Sequence, residues 1–276
     1  MTAGAKTIRY RSLGYQTDLA VLAHQGLVVE PRDAYQVIRT PENPHFWWGN
    51  FLLYPSLAAD TDPQAWLAAF EQEFPQAQHR TFGLDSPLRP PEEAVRRFEA
   101  LGFRLDSLAV LTAQRLGPVR PLPAGAQVRP LESGDDWHQL LNLRLAVNAG
   151  QTDYLPFAQR KVQQAWAMQQ AGAGAYWGAF VGRALRAALG IYQAGTHRDE
   201  RLARYQSVET HPDWRSQGLA GNLVVAAGDW ARRDLGADRL VIVADTEYHA
   251  QALYQRLGFG VAEPEWALER PPSPAD

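Results

Sequence analysis

The chain has 276 residues, of which 46% are hydrophobic, a formal net charge of −3 and no cysteine. That length suffices for one large domain or two ordinary ones with real cores, and the missing cysteine excludes a disulfide scaffold, a thiolate metal site and a cysteine nucleophile. No long basic or acidic block points to nucleic acid or an anionic membrane as a partner. The N-terminus lacks a signal-peptide core and no stretch reaches the roughly 20 apolar residues of a membrane span, so a cytoplasmic location is expected.

In chain order, NPHFWWGNFLLYPS (residues 43–56) brings Phe46, Trp47, Trp48 and Phe51 together. Two readings stay open for it: domain core, or a pocket wall in which Trp47 or Trp48 lines the site of a ligand. DTDPQAWLAAFEQEF (60–74) reads as an amphipathic helix with Asp62 as cap and Pro63 in its first turn. RRFEALGF, from Arg96, reads as a helix that closes on glycine and turns into a strand. ALYQRLGF, from Ala252, repeats the pattern, with Phe98 and Tyr254, and Gly102 and Gly258, separated by the same interval of 156 residues. Between them, RLGPVRPLPAGAQVRP (115–130) is a proline- and glycine-rich seam, which places a domain boundary near Pro121.

Beyond the seam, Asp136 is expected to cap a helix carrying Trp137, Leu140, Leu141 and Leu145, and a second helix covers about Phe157 to Met168. GAGAYWG (172–178) has the wrong spacing and context for a dinucleotide loop and reads as a plain loop. Two strand-like runs split at Gly182-Arg183 form a hairpin, and ARYQSVET (203–210) is the next strand. A helix then repeats Leu219, Leu223, Ala227 and Trp230 until Gly236 ends it. RLVIVA follows as a buried strand, and the last helix presents Ala250, Leu253, Tyr254 and Leu257. Strand, glycine turn, helix, strand, helix is an α/β order.

The glycine turn, WRSQGLAGNLV (214–224), has two readings as well. Gly218 serves either a backbone turn that needs a positive φ or a pyrophosphate held on the free N–H groups of a helix start, with Arg215 adding a charged contact and Ala220 keeping the helix near the ligand. No nucleotide-triphosphate loop, serine-hydrolase elbow or zinc-peptidase motif occurs, and His211 and His249 lack the spacing of ligands or bases.

SVETHPDWRSQGLAGNLVVAAGDWA together with ALYQRLGF resembles the acyl-CoA-binding motif and closing helix of the GCN5-related N-acetyltransferases (GNAT) over about residues 125–270. The resemblance implies an α/β (α+β) fold of two tandem GNAT-like domains, residues 1–120 and 121–276, each a mixed, mostly antiparallel sheet flanked by helices. The first, with RRFEALGF but no glycine turn, would be a degenerate copy without CoA binding. It also implies acetyl-CoA as co-substrate and no metal. Val208, Glu209 and Thr210 would line pantetheine. Arg215, Ser216, Gln217, Gly218, Leu219 and Ala220 would hold the pyrophosphate, and Tyr254 would protonate the departing thiolate. Glu247 stands where relatives carry an asparagine toward the cofactor, and Gln206 where some carry a glutamate base.

An amine with a pKa near 10 is neutral in only about one molecule per thousand at pH 7, so the reaction needs a proton acceptor. Glu209 is the first candidate, although a regular strand could equally turn it to solvent. The function implied is acetyl transfer to an amine on a small molecule or peptide, by a monomer or homodimer. The competing reading is an acyl-CoA-binding sensor or scaffold without turnover.

Overall fold

The computed structural model describes residues 10–44, 46–151, 154–245 and 250–272. They pack as two compact units, one of Met1–Val110 with Glu263–Asp276 and one of Leu111–Ala262. This differs from a boundary near Pro121 with everything after it in the second domain. The last strand, β11 (Gly260–Arg270), pairs antiparallel with β4 (Arg80–Leu84), from Trp266 opposite Leu84 to Arg270 opposite Arg80, and so completes the first unit. Residues 115–121 side with the second: Gly117 N–H donates to Leu257 O at 2.8 Å, and Asn222 Nδ2 donates to Arg120 O at 2.9 Å.

In the first unit the strands β1 (Val28–Pro31), β2 (Gln36–Arg39), β3 (Phe51–Tyr54), β4, β11 and β5 (Arg104–Ala113) lie side by side in that order. β3 and β4 are parallel, which requires a crossover, and α2 (Pro63–Glu73) supplies it. FLLY alternates between two buried faces. Phe51 and Leu53 meet Tyr15, Leu19 and Leu22 of α1 (Leu13–Ala23), while Leu52 and Tyr54 join Trp66, Phe70, Phe82 and Phe98, the last from α3 (Glu92–Glu99). The Trp66 ring lies flat on Tyr54, with centroids 3.5 Å apart. The tryptophans of residues 47–48 serve this unit too: Trp47 stacks on His79 at 5.4 Å, and Trp48 meets Phe51 edge-on. Asp62 caps α2 with Pro63 in its first turn, as the sequence indicates.

The start of α1 carries a testable pH dependence. Asp85 Oδ1 accepts the N–H groups of Arg11 and Ser12, both at 2.9 Å, in a site where burial pushes its carboxyl up to about 6, against the pull of those two bonds. A raised folded-state pKa means that the folded protein binds this proton more tightly than the unfolded chain. The contribution of Asp85 to stability is therefore greatest below about pH 4 and is lost as pH rises to about 6. Urea unfolding of wild type and Asp85→Asn at pH 4 and pH 7 is expected to show wild type losing on the order of 2 kcal/mol relative to the variant. An unchanged difference between the two pH values would contradict this.

The second unit orders its strands β10 (Arg239–Asp245), β9 (Glu200–Thr210), β8 (Ala184–His197), β7 (Gly174–Val181) and β6 (Ala126–Pro130). All neighbours are antiparallel except β9 and β10, which α6 (Leu219–Asp234) joins. Both units are thus mixed, mostly antiparallel sheets flanked by helices, in agreement with the sequence. The hairpin turns at Gly182, φ +59°, and GAGAYWG is a loop only to Ala173, with its remainder opening β7.

α4 (Gly134–Val147) is capped by Ser133, not Asp136. Asp136 sits three residues further on and returns the bond, accepting from the Ser133 and Glu132 N–H groups at 3.1 and 2.9 Å, which closes a capping box. Arg129 grips the same carboxylate with two 2.8 Å bonds and holds its pKa far below the usual carboxylate range. The second helix, α5 (Tyr154–Gln170), is a turn longer than its apolar pattern suggests.

Candidate functional site

Two parallel strands that part company create the site. β9 and β10 pair at Arg239–Leu202, Leu240–Ala203 and Val241–Arg204, and there the register ends. β9 continues for six residues and β10 for four. On its other edge β9 stays paired to β8 as far as Ala187–Thr210. One edge of residues 205–210 is therefore fixed while β10 leaves the other, an arrangement open to an extended ligand that pairs like a short strand.

Within that stretch the strand is irregular. Ser207 has φ +50°, and the three steps along β9 from Gln206 to Glu209 lie opposite only two along β8, from Gly190 to Ala188, so one residue is inserted. Tyr205 faces α6, where its hydroxyl donates to Val224 O at 2.7 Å and occupies the space beside Gly228 that any side chain would fill. A regular strand would point Glu209 the same way. The inserted residue instead turns Glu209 to the opposite face, toward α4, and neither of the sequence alternatives, cleft or solvent, describes its surroundings fully.

There Glu209 Oε2 lies 3.5 Å from Nε of Arg144, with only 13% and 5% of the two side chains exposed. Arg144 Nη2 donates to the Tyr176 hydroxyl at 2.7 Å. Burial pushes the Glu209 carboxyl up, and the neighbouring guanidinium opposes it. Arg144 escaped the sequence reading because a charged residue on a helix ordinarily marks a solvent face.

The turn after β9 ends in α6. His211 supports a short 3₁₀ turn, Pro212–Trp214, by accepting Asp213 N–H at Nδ1, 3.3 Å. Ser216 and Gly218 both take left-handed φ values, +61° and +84°. Arg215, Ser216 and Gln217 are exposed, whereas the Leu219 side chain is buried, leaving only its backbone to a ligand. A Cβ on Gly218 would meet only ordinary contacts, the nearest at 3.6 Å, so the glycine answers the backbone angle. Ser12, Asp62 and Ser133 cap α1, α2 and α4, whereas no side chain caps α6, and its first turn holds no acidic residue. A helix start with neither a side-chain cap nor an acidic residue in its first turn keeps its positive dipole end, which suits a phosphate.

Tyr254, on α7 (Ala250–Arg256), is 4% exposed, and burial holds its phenol well above the usual value. Phe259 stands between it and Tyr205, with ring centroids 6.1 and 6.0 Å away, which ties Tyr254 to the point where β9 leaves β10. The end of α7 repeats that of α3: Gly258 and Gly102 have φ +99° and +82°, and Phe259 and Phe103 donate back to Tyr254 O and Phe98 O at 3.1 and 3.2 Å. Glu247 and His249 lie outside the described residues.

The corresponding part of the first unit is built differently. Pairing of β3 and β4 reaches the last residue of each, Tyr54–Leu84, and Asp85 N–H extends it to Tyr54 O at 2.7 Å. The start of α2 is filled by its own Asp62 and Pro63.

Among the described residues no group of three or more His, Asp or Glu is placed to hold a metal ion, and no helix is long and apolar enough to cross a membrane. A hollow of about 680 Å³ lined by Arg115, Arg201, Arg232 and Arg233 opens at the far end of α6, away from this site. Cations there complement the helix C-terminus.

Residues 137–259 match the model of the acetyltransferase (GNAT) family. No curated protein matches the sequence. Among solved structures, a functionally unknown conserved protein from Staphylococcus epidermidis superposes with a TM-score of 0.70 at 13% identity, covering 88% of this chain and 93% of its own. A GCN5-related N-acetyltransferase from Kribbella flavida gives 0.61 at 16% identity, with 95% and 98% covered. A tandem GNAT protein from the clavulanic acid biosynthesis pathway gives 0.55 at 13% identity, with 94% and 89% covered. At these identities the likeness is one of fold.

Proposed function

We propose that the GNAT-family domain spanning residues 137–259 transfers an acetyl group from acetyl-CoA to an amine. The observation that carries this reading is the parting of β9 and β10 beside an uncapped helix start whose approach is left-handed at Ser216 and Gly218. Acetyl-CoA would supply the activated acyl thioester. Val208 to Thr210 would pair with its pantetheine arm, and the backbone of Arg215 to Ala220, with the Arg215 guanidinium, would hold its pyrophosphate.

The chain's own groups then divide the work. Glu209 takes the proton from the acceptor ammonium, directly or through water, so that the free amine attacks the thioester carbonyl. A backbone N–H near Thr210 donates to the oxygen as it gains charge. The Tyr254 hydroxyl, kept protonated by its burial, gives its proton to the departing sulfur. No step calls on a metal.

The first unit would be a copy of the same fold that does not bind CoA, since its parallel strands stay zipped and its helix start is self-capped. The acceptor would be a small-molecule or peptide amine. Turnover is tested by release of free CoA thiol from acetyl-CoA against a panel of primary amines. Acceptor-dependent release is expected. Acetyl-CoA binding without release for any amine would favour the sensor reading.

A further inference from the structure

An arginine on the buried face of a helix is costly unless it is paired, so Arg144 calls for a reason. Resting on the transfer reading above, we propose that Arg144 is a positioning residue that holds the Glu209 carboxylate as an anion at the acceptor end of the cleft. Three observations converge on it. The inserted residue at Ser207 turns Glu209 off the α6 side and toward Arg144. Nε of Arg144 and Oε2 of Glu209 are both shut away from solvent and, among the described residues, have no hydrogen-bond partner, and they face each other at 3.5 Å. The guanidinium is itself anchored, through Nη2, on the Tyr176 hydroxyl.

Among the described residues, the charged or titratable groups that reach Glu209 come from three elements: Arg144 of α4, Tyr154 of α5 and Tyr176 of β7. Across the ladder its β8 neighbour is Ala188, which cannot titrate. Arg144 is thus the cation that offsets the burial of Glu209. Removing its charge leaves burial unopposed, so Glu209 binds its proton up to a higher pH. The acid limb of the rate profile should then move toward alkaline pH.

The test is the cycle of Arg144→Gln, Glu209→Gln and the double variant, with Arg144→Lys as the charge-conserving control. Two readouts are compared: the Glu209 carboxyl midpoint by ¹³C NMR, assigned with Glu209→Gln, and the pH profile of kcat/KM for acetyl transfer. In Arg144→Gln we expect both to rise together by more than about one pH unit. We expect kcat at pH 7 to fall about tenfold with KM for acetyl-CoA unchanged, and Arg144→Lys to restore most of both. In the Glu209→Gln background the loss of Arg144 should cost nothing further in kcat.

A Glu209 midpoint unmoved by Arg144→Gln, or additive losses of kcat in the double variant, would overturn the proposal. The double variant leaves no orphaned charge, so it reports even where Arg144→Gln does not fold. The midpoint does not depend on turnover. A shifted midpoint in a protein that transfers no acetyl group would therefore uphold the charge pairing while removing the transfer reading.

Discussion

Replacing Tyr254 by phenylalanine is expected to lower kcat for acetyl transfer on the order of 10³-fold while leaving acetyl-CoA affinity within about twofold. The substitution keeps the ring, and with it the packing on Phe259 that fixes α7. Only the hydroxyl is lost. Without that hydroxyl, a departing thiolate would have to take its proton from water. Because burial raises the Tyr254 pKa, the phenol remains a donor throughout the neutral range, so its own ionisation should leave no alkaline limb near pH 8 in the wild-type profile. A variant with full activity and unchanged affinity would remove Tyr254 as the proton donor.

The second large effect concerns the glycines of the α6 turn, which differ in what they do. Gly218 sits at φ +84°, where a side chain costs roughly 1–2 kcal/mol, and any large group there would cover the helix donors. Gly218→Trp is therefore expected to weaken acetyl-CoA binding at least about 100-fold, or about 2.7 kcal/mol. Gly221 has no such angle, and a Cβ on it would find only contacts of 3.8 Å with Leu253, Leu257 and Val119. Gly221→Ala should leave binding intact and stabilise the helix by up to about 1 kcal/mol. Equal losses in the two variants, measured by calorimetry on folded protein, would mean that the turn does not hold the ligand through its backbone.

The signals that local chemistry leaves in a sequence were the ones that could be read. The hairpin at Gly182 and the caps at Gly102 and Gly258 each need a left-handed residue, and glycine marks the place. The apolar spacing of α6 and α7 follows from the faces they bury. What depended on distant partners was not legible. The strand β11 belongs with β4, some 180 residues earlier in the chain, because of a pairing that no local pattern records.

The site divides along the same line. Its glycine turn and Tyr254 carry composition, whereas the inserted residue at Ser207 leaves no mark, since serine is an unremarkable strand residue whose φ of +50° is imposed by its surroundings. The direction of Glu209 follows from that insertion, and the pairing with Arg144 follows in turn. Gly228 is a similar case: as a mid-helix glycine it reads as a weakness, yet it makes room for the Tyr205 hydroxyl.

The central claim is that the opening between β9 and β10 with the α6 turn is an acyl-CoA site, and isothermal titration of the purified protein with acetyl-CoA tests it most directly. Micromolar binding, about −8 kcal/mol, is expected, and its loss in Gly218→Trp. No heat of binding at millimolar acetyl-CoA would contradict it, leave the glycines with only a turn to make, and take the acetyltransferase reading with them.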